Sequence, residues 1–143
     1  MLKGNGIIFR QIRDEIDQIR ETYPKLKDDS AFVLWFLRAF LADSEEEARK
    51  ALTGDTSDKE IDAILIDDRI KQVHLVQGKF HLSLGEQNEK RNDVLGLADL
   101  SNYPWETREV LDAFYSKLDP LVCRRFEELV ERVRRRKYEL HLY

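Results

Sequence analysis

Three polar residues interrupt the two most apolar runs of this chain. Asp62 lies in the run from Ile61 to Ile66, and Gln77 and Lys79 lie in the run from Val73 to Phe80. In an extended strand, residues two apart share a face, so Gln77 and Lys79 point the same way, and Asp62 faces them if the pairing of the two runs brings it across. A carboxylate beside an amine suits one chemistry in particular. The carboxylate holds a divalent cation with hard oxygen ligands, Mg²⁺ or Mn²⁺. The cation polarises a phosphate and activates a water, while the ammonium steers that water or offsets developing charge. Gly78, with no side chain in the way, can offer its carbonyl to the same ion.

The elements that must position these residues are legible from periodicity. The two runs read as strands near 60–67 and 72–80, joined by the short charged loop Asp67-Asp68-Arg69-Ile70-Lys71. Both are apolar on two faces, which suits the middle of a sheet covered by helices. Ahead of them, Ile8, Ile12, Ile16 and Ile19 recur at helical spacing, giving an amphipathic helix over 7–22 that Tyr23-Pro24 ends. Asp28, Asp29 and Ser30 offer N-caps for a second helix, Ala31 to Ala42, apolar nearly all round and therefore expected to be the buried helix. Ser44 with Glu47 three residues on forms a capping box for a short third helix to about Leu52.

After the strands, helical pattern resumes from about Glu86 to Leu100. Pro104-Trp105 opens another helix, with Val110, Leu111, Phe114, Tyr115 and Leu118 as its stripe. Asp119-Pro120 starts the next, with Asp as N-cap and Pro in the first turn, and Val122, Phe126, Leu129, Val130 and Val133 as its apolar face. Tyr138 to Tyr143 alternates like a strand, and ending there suggests a fragment of a longer protein. The order of helices, hairpin, helices and strand predicts an α/β domain with a small mixed central sheet flanked by helices. The expected organisation is one domain over 1–143, with 1–27 as a helical extension and 28–143 as the core.

The bulk numbers set limits on partners. A length of 143 residues is the size of one domain, and 42% hydrophobic residues suffice for a core. A net charge of −4 means that the chain as a whole does not advertise nucleic-acid binding. The single cysteine, Cys123, excludes an internal disulfide framework and a Cys-based zinc site, and fits a thiol on a helix face in a reducing cytoplasm. No run is apolar enough to span a membrane, and the N-terminus lacks the apolar core of a secretory signal.

Asp58-Lys59-Glu60-Ile61-Asp62-Ala63-Ile64, fourteen intervening residues after Asp62, and then Gln77-Gly78-Lys79 resemble the restriction-endonuclease-like fold, whose signature is written PD-(D/E)xK. The closer likeness is to the branch with glutamine at the second acid position, seen in Mrr-type restriction enzymes. The stretch from Asp28 to about Leu100 is also similar to the N-terminal nuclease domain of the abortive-infection phage-resistance family. The resemblance implies a helix, three strands, a helix and a final strand. It implies a Mg²⁺- or Mn²⁺-dependent nuclease in phage defence, acting on nucleic acid, DNA first, with Asp62 as metal ligand, Gln77 at the variable acid position and Lys79 as catalytic lysine. Many members of that fold take a further glutamate from the preceding helix. Glu47 is the candidate here, with Glu45 and Glu46 behind it and Asp58 as a helper at the mouth. The first core strand has no clear counterpart, because Lys50 to Gly54 is short and helical in pattern.

Plainer readings stand beside these. Asp62 and Lys79 can form a buried ion pair, Gln77 can be a satisfied core amide, Glu47 is fully explained as a cap, and His74 and His81 are ordinary packed or exposed histidines. Near the C-terminus, Arg124, Arg125, Arg132, Arg134, Arg135, Arg136 and Lys137 cluster. Arg125, Arg132 and Arg136 share one side of their helix and could track a phosphate backbone, or they could be a solvated face. Three functions follow: an active metal-dependent nuclease, a catalytically inactive relative that binds nucleic acid or a protein, and a helical interaction module with an incidental hairpin. The last requires Asp62 and Lys79 on opposite faces or far apart. A homodimer is compatible with each.

Overall fold

Two helical layers enclose a sheet in a computed structural model that describes residues 2–53, 61–78, 96 and 98–143, the backbone alone for residues 2–7. Helix α1 spans Leu2–Thr22 and stops ahead of Pro24, as the proline dictates. Helix α2 spans Asp28–Phe36. It begins three residues earlier than the expected start: Lys27 occupies the N-cap without a side-chain bond, and Asp28 and Asp29 sit in the first turn, where their charge suits the helix dipole. Leu37–Leu41 continues it as a wider turn, closed by the Ala42 N–H on the Leu37 carbonyl at 2.7 Å. Helix α3, Glu45–Ala51, is capped as expected, with Ser44 Oγ accepting from Glu47 N–H.

Strand β1, Ala63–Asp67, pairs antiparallel with β2, Gln72–Val76. The loop between them turns through Lys71, held at φ 56°, a left-handed conformation that a non-glycine residue adopts at some cost. Strand β3, Glu139–Leu142, lies parallel to β2, from Gln72 opposite Glu139 to Leu75 opposite Leu142. The order is β1-β2-β3, so β2 is central. Both strands of the hairpin are shorter than expected. Beyond β1, Leu52 makes an isolated antiparallel pairing with Ala63. That pairing is a single bridge and adds no further strand among the described residues.

The helix expected over 86–100 lies mostly outside the described residues, although 98–100 are helical. Pro104 and Trp105 form a 3₁₀ turn, Tyr103–Trp105, rather than opening a helix. Helix α4, Arg108–Tyr115, starts later because the Thr107 hydroxyl accepts from Val110 N–H and takes the cap. Helix α5, Pro120–Val130, starts as expected, with the Asp119 carboxylate accepting from Leu121 N–H, and it too ends in a wide turn, Glu131–Arg135.

The side chains divide by strand face. Ala63, Leu65 and Val76 pack with Ile16, Ile19, Val33, Leu34, Leu37 and Ala48 of the first three helices. Ile64, Val73 and Leu75 pack with Leu111, Phe114, Val122, Phe126 and Leu129 of α4 and α5. Among the described residues the result is a mixed α/β fold with a small three-stranded mixed sheet between helices. The second helix is not buried all round: Val33, Leu34 and Leu37 are buried, but Phe40 is 66% exposed. No helix among the described residues is long and apolar enough to cross a membrane.

Candidate active site

Asp62 sits one residue ahead of β1 and is clamped from both sides. Its N–H donates to the Val76 carbonyl at 2.9 Å, and its own carbonyl accepts from Thr53 N–H at 3.1 Å. Thr53 is buried and places its hydroxyl on the Ile61 carbonyl at 2.7 Å, which fixes the preceding peptide as well. The Asp62 carboxylate accepts from Gly78 N–H at 2.7 Å. A bond of that length to a charged acceptor is among the stronger ones a protein makes, and it fixes one oxygen of the carboxylate.

Gln77 follows from the same register. Ala63 pairs with Val76, so Asp62 and Gln77 are the next residues along the two strands. The backbone of Gln77 is held by β3 through its N–H on the Tyr143 carbonyl at 2.9 Å. Gly78 is buried against α2: a Cβ there would lie 2.4 Å from Val33 Cγ2 and 3.4 Å from Phe32. Glycine at this position lets the chain pass under α2 while its N–H reaches Asp62. What the structure shows of Gly78 is its N–H donating to Asp62, not the carbonyl expected to meet an ion. Lys79, Asp58 and His81 lie outside the described residues.

Glu47 does not join Asp62. One of its oxygens accepts from Asp43 N–H at 2.9 Å and the other lies 3.8 Å from the Arg69 guanidinium. The same guanidinium nitrogen is 3.1 Å from the Asp67 carboxylate. Glu47 therefore belongs to the turn end of β1, and Asp62 lies five residues away at the other end, roughly 16 Å at strand rise. The reason is the direction of α3: its C-terminus feeds Leu52 to Ala63, which leaves its acidic first turn beside Asp67.

That turn end is a charge cluster, and Asp67, the last residue of β1, belongs to it. Asp67 is only 5% exposed. Both its oxygens engage Arg69, which also pairs with Asp43. The signal was available: Asp67 continues the alternation of Ala63 and Leu65 onto the buried face. Among the described residues, no group of three or more His, Cys, Asp or Glu is gathered as metal ligands would be.

The basic residues have protein partners. Arg125 reaches the Ile64 carbonyl at 3.5 Å. Arg132 pairs with Asp68 and Glu131, both at 3.1 Å, and its side chain is mostly covered. Arg136 lies 3.8 Å from Glu131. Asp68 also accepts the Tyr138 hydroxyl at 2.8 Å, and that bond, with Arg132 behind it, holds the carboxyl below its ordinary pKa. Arg125 and Arg132 line a cavity of about 400 Å³ at the outer edge of β1 together with Glu47 and Lys50.

On the β2–β3 side, His74 is buried, with its ring 5.4 Å from His141 and 5.6 Å from Tyr143. Burial, then the neighbouring His141, push its pKa below the ordinary value, while Asp67 opposes them. Cys123 lies half-buried on α5, and burial, then Glu127, push its thiol pKa up, which makes it a poor nucleophile. Neither a family model, nor a curated protein, nor a solved structure matches this chain.

Proposed function

We propose that this chain is a Mg²⁺-dependent nucleic-acid phosphodiesterase domain of the restriction-endonuclease-like kind, cutting DNA in bacterial phage defence. The observation that carries the reading is the 2.7 Å bond from Gly78 N–H to the Asp62 carboxylate. It ties the aspartate to Gly78, the residue that stands between Gln77 and Lys79 in sequence, and the hairpin register sets Asp62 across from Gln77. The order of elements agrees. A helix and the Leu52 bridge precede an antiparallel hairpin, and the last strand returns parallel to β2. The defence role rests on the sequence resemblance alone.

The described residues offer oxygen donors of the right kind for a magnesium ion: the Asp62 carboxylate, the Gln77 amide and nearby carbonyls. Magnesium bound there would supply Lewis acidity to a phosphate and to a water. The chain's own contribution is positional. The Gly78 N–H and the Thr53 and Val76 backbone hold Asp62 in place before any substrate arrives, which spares reorganisation during the reaction. Lys79 would deliver its ammonium to the attacking water, and Gln77 would orient that lysine or the water.

Cleavage of plasmid and linear DNA with Mg²⁺ or Mn²⁺ by wild type, Asp62→Ala and Lys79→Ala tests the reading. Metal-dependent cutting by wild type and its loss, by about a hundredfold or more, in both variants is expected. Equal activity in all three ends this mechanism.

One observation favours a second reading, a relative that has lost catalysis and binds nucleic acid or a protein partner. Gln77 is neutral, and Glu47 stands at the other end of β1. Titration calorimetry with Mn²⁺ separates the two: heat that disappears in Asp62→Ala supports the enzyme, and no Asp62-dependent heat supports the binder.

A further inference from the structure

Helices α4 and α5 leave a groove of about 640 Å³ between them. Small-molecule sites fall in the range of roughly 300–1,000 Å³. The two ends of the groove differ in charge. Arg108, Arg134 and Arg135 all line it. The Arg134 guanidinium donates to the Glu106 carbonyl at 3.1 Å, which brings the wide turn after α5 to the start of α4 and sets the three arginines at one end. Tyr115 and Glu127 line the other end, roughly 10 Å from Arg108 and Arg134 at helical rise. Between the ends lies an apolar floor of Leu111 and Val130, both buried. The acids near the arginine end are engaged: Glu131 is held by Arg132 and Arg136, and Asp112 faces Arg108 at 3.6 Å. The cations there have donors to spare. Arg135 makes no hydrogen bond or ion pair among the described residues, and Arg134 gives one of its five N–H groups to Glu106. At the far end, the Glu127 carboxylate meets only the Cys123 thiol, at 3.8 Å. The Tyr115 hydroxyl makes no hydrogen bond among the described residues. Burial, then Glu127, push its pKa up to about 12, so it keeps its proton. Guanidinium forks match phosphate oxygens, and a lone carboxylate would occupy one fork where a diphosphate can occupy three.

We propose that the α4–α5 groove binds a nucleoside diphosphate. The phosphates lie against Arg108, Arg134 and Arg135, the base covers Leu111 and Val130, and a base amine or sugar hydroxyl donates to Glu127. No residue of the groove belongs to the corner that holds Asp62. The nucleotide site therefore stands or falls apart from the phosphodiesterase reading.

Titration calorimetry of the whole chain in metal-free buffer, with ADP, adenosine and inorganic pyrophosphate as ligands, tests the assignment. ADP is expected to bind more tightly than either of the others. Charge alone would favour pyrophosphate at least equally, so a tighter ADP reports the apolar floor. Arg135→Ala should weaken ADP and pyrophosphate alike by about tenfold to a hundredfold, the range that a hydrogen bond to a charged group spans. Glu127→Ala should weaken ADP several-fold and leave pyrophosphate unchanged. Arg135 and Glu127 are both exposed, so far-UV dichroism should show both variants folded. Asp62→Ala should bind ADP as wild type does. The nucleotide site is overturned by pyrophosphate binding as tightly as ADP, by wild-type affinity in Arg135→Ala, by loss of ADP binding in Asp62→Ala, or by no binding of ADP at all. Asp62-dependent DNA cleavage by a chain that binds no ADP leaves the enzyme standing without this site, and Arg135-dependent ADP binding by a chain that cuts no DNA leaves this site standing without the enzyme.

Discussion

At the scale of single residues, His74 is the most conspicuous side chain outside the candidate site. It is 3% exposed, and its Nδ1 has no hydrogen-bond partner among the described residues. Buried polar atoms are nearly always paired, so this one marks a cost the fold carries. Burial and His141 depress its pKa, and Asp67 counteracts only in part. A histidine whose folded pKa lies below its unfolded value of about 6.5 adds stability above that value. That contribution is lost as the pH falls through about 6.5 toward the folded pKa, because the unfolded chain takes up the proton first. The melting temperature should therefore drop between about pH 7.5 and about pH 5, and His74→Leu should flatten that slope. The same substitution should leave stability at neutral pH unchanged or raised, since it removes an unsatisfied buried group. An unaltered slope in the variant would assign the acid sensitivity elsewhere. Asp67 shows the converse case of a buried charge that is paired, through both oxygens, with Arg69.

At the scale of elements, the seating of α2 on the end of β2 depends on a missing side chain. Gly78 passes beneath Val33 at a distance no Cβ tolerates, and the same residue donates to Asp62. Gly78→Ala should cost about 1–3 kcal/mol in urea denaturation, the usual penalty for overpacking a filled site. Adding Val33→Ala should recover part of that loss, so that the double variant is less destabilised than the sum of the single ones. Strict additivity would show that the two residues do not press on one another. Much of the element list was readable in advance. Pro24 ended α1, Asp119-Pro120 started α5, and Ser44 capped α3, because each acts through its own backbone within a turn. The start of α2 was not, because Asp28 and Asp29 are as favourable in a first turn as at a cap. Nor was the start of α4, where Thr107 rather than Pro104 made the capping bond.

At the scale of the whole molecule, two apolar clusters lie on either side of the sheet, and Phe126 anchors the one built with α4 and α5. It is fully buried and within 5.0 Å of the Phe114 ring, with Tyr103 and Tyr115 also against it. Phe126→Ala should cost about 3–5 kcal/mol. Against a total of roughly 5–15 kcal/mol for a domain, that is a large part of the stability. Phe40→Ala, at an exposed position, should change it by less than about 0.5 kcal/mol. Chemical denaturation of the two variants checks both. A small loss at Phe126 would mean that the α4–α5 layer is not coupled to the sheet as the packing implies.

The sequence alone determined what is local or periodic. Continuous apolar runs placed β1 and β2, period-two alternation placed β3, and residue types picked out Asp62, Gln77 and Lys79 as out of place in apolar runs. The register that sets Asp62 next to Gln77 was open in the sequence, and the pairing of Ala63 with Val76 decides it. What needed the tertiary structure was everything decided by direction and close approach. The run of α3 into Leu52 carries Glu47 to Asp67 rather than to Asp62. Packing under Val33 gives Gly78 its place, and Arg125 and Arg132 turn to the β1 edge and Asp68 instead of lying free on a helix face. A chain pattern records which residues share a face of one element. It does not record which end of that element a neighbour reaches, because that depends on contacts between residues far apart in sequence.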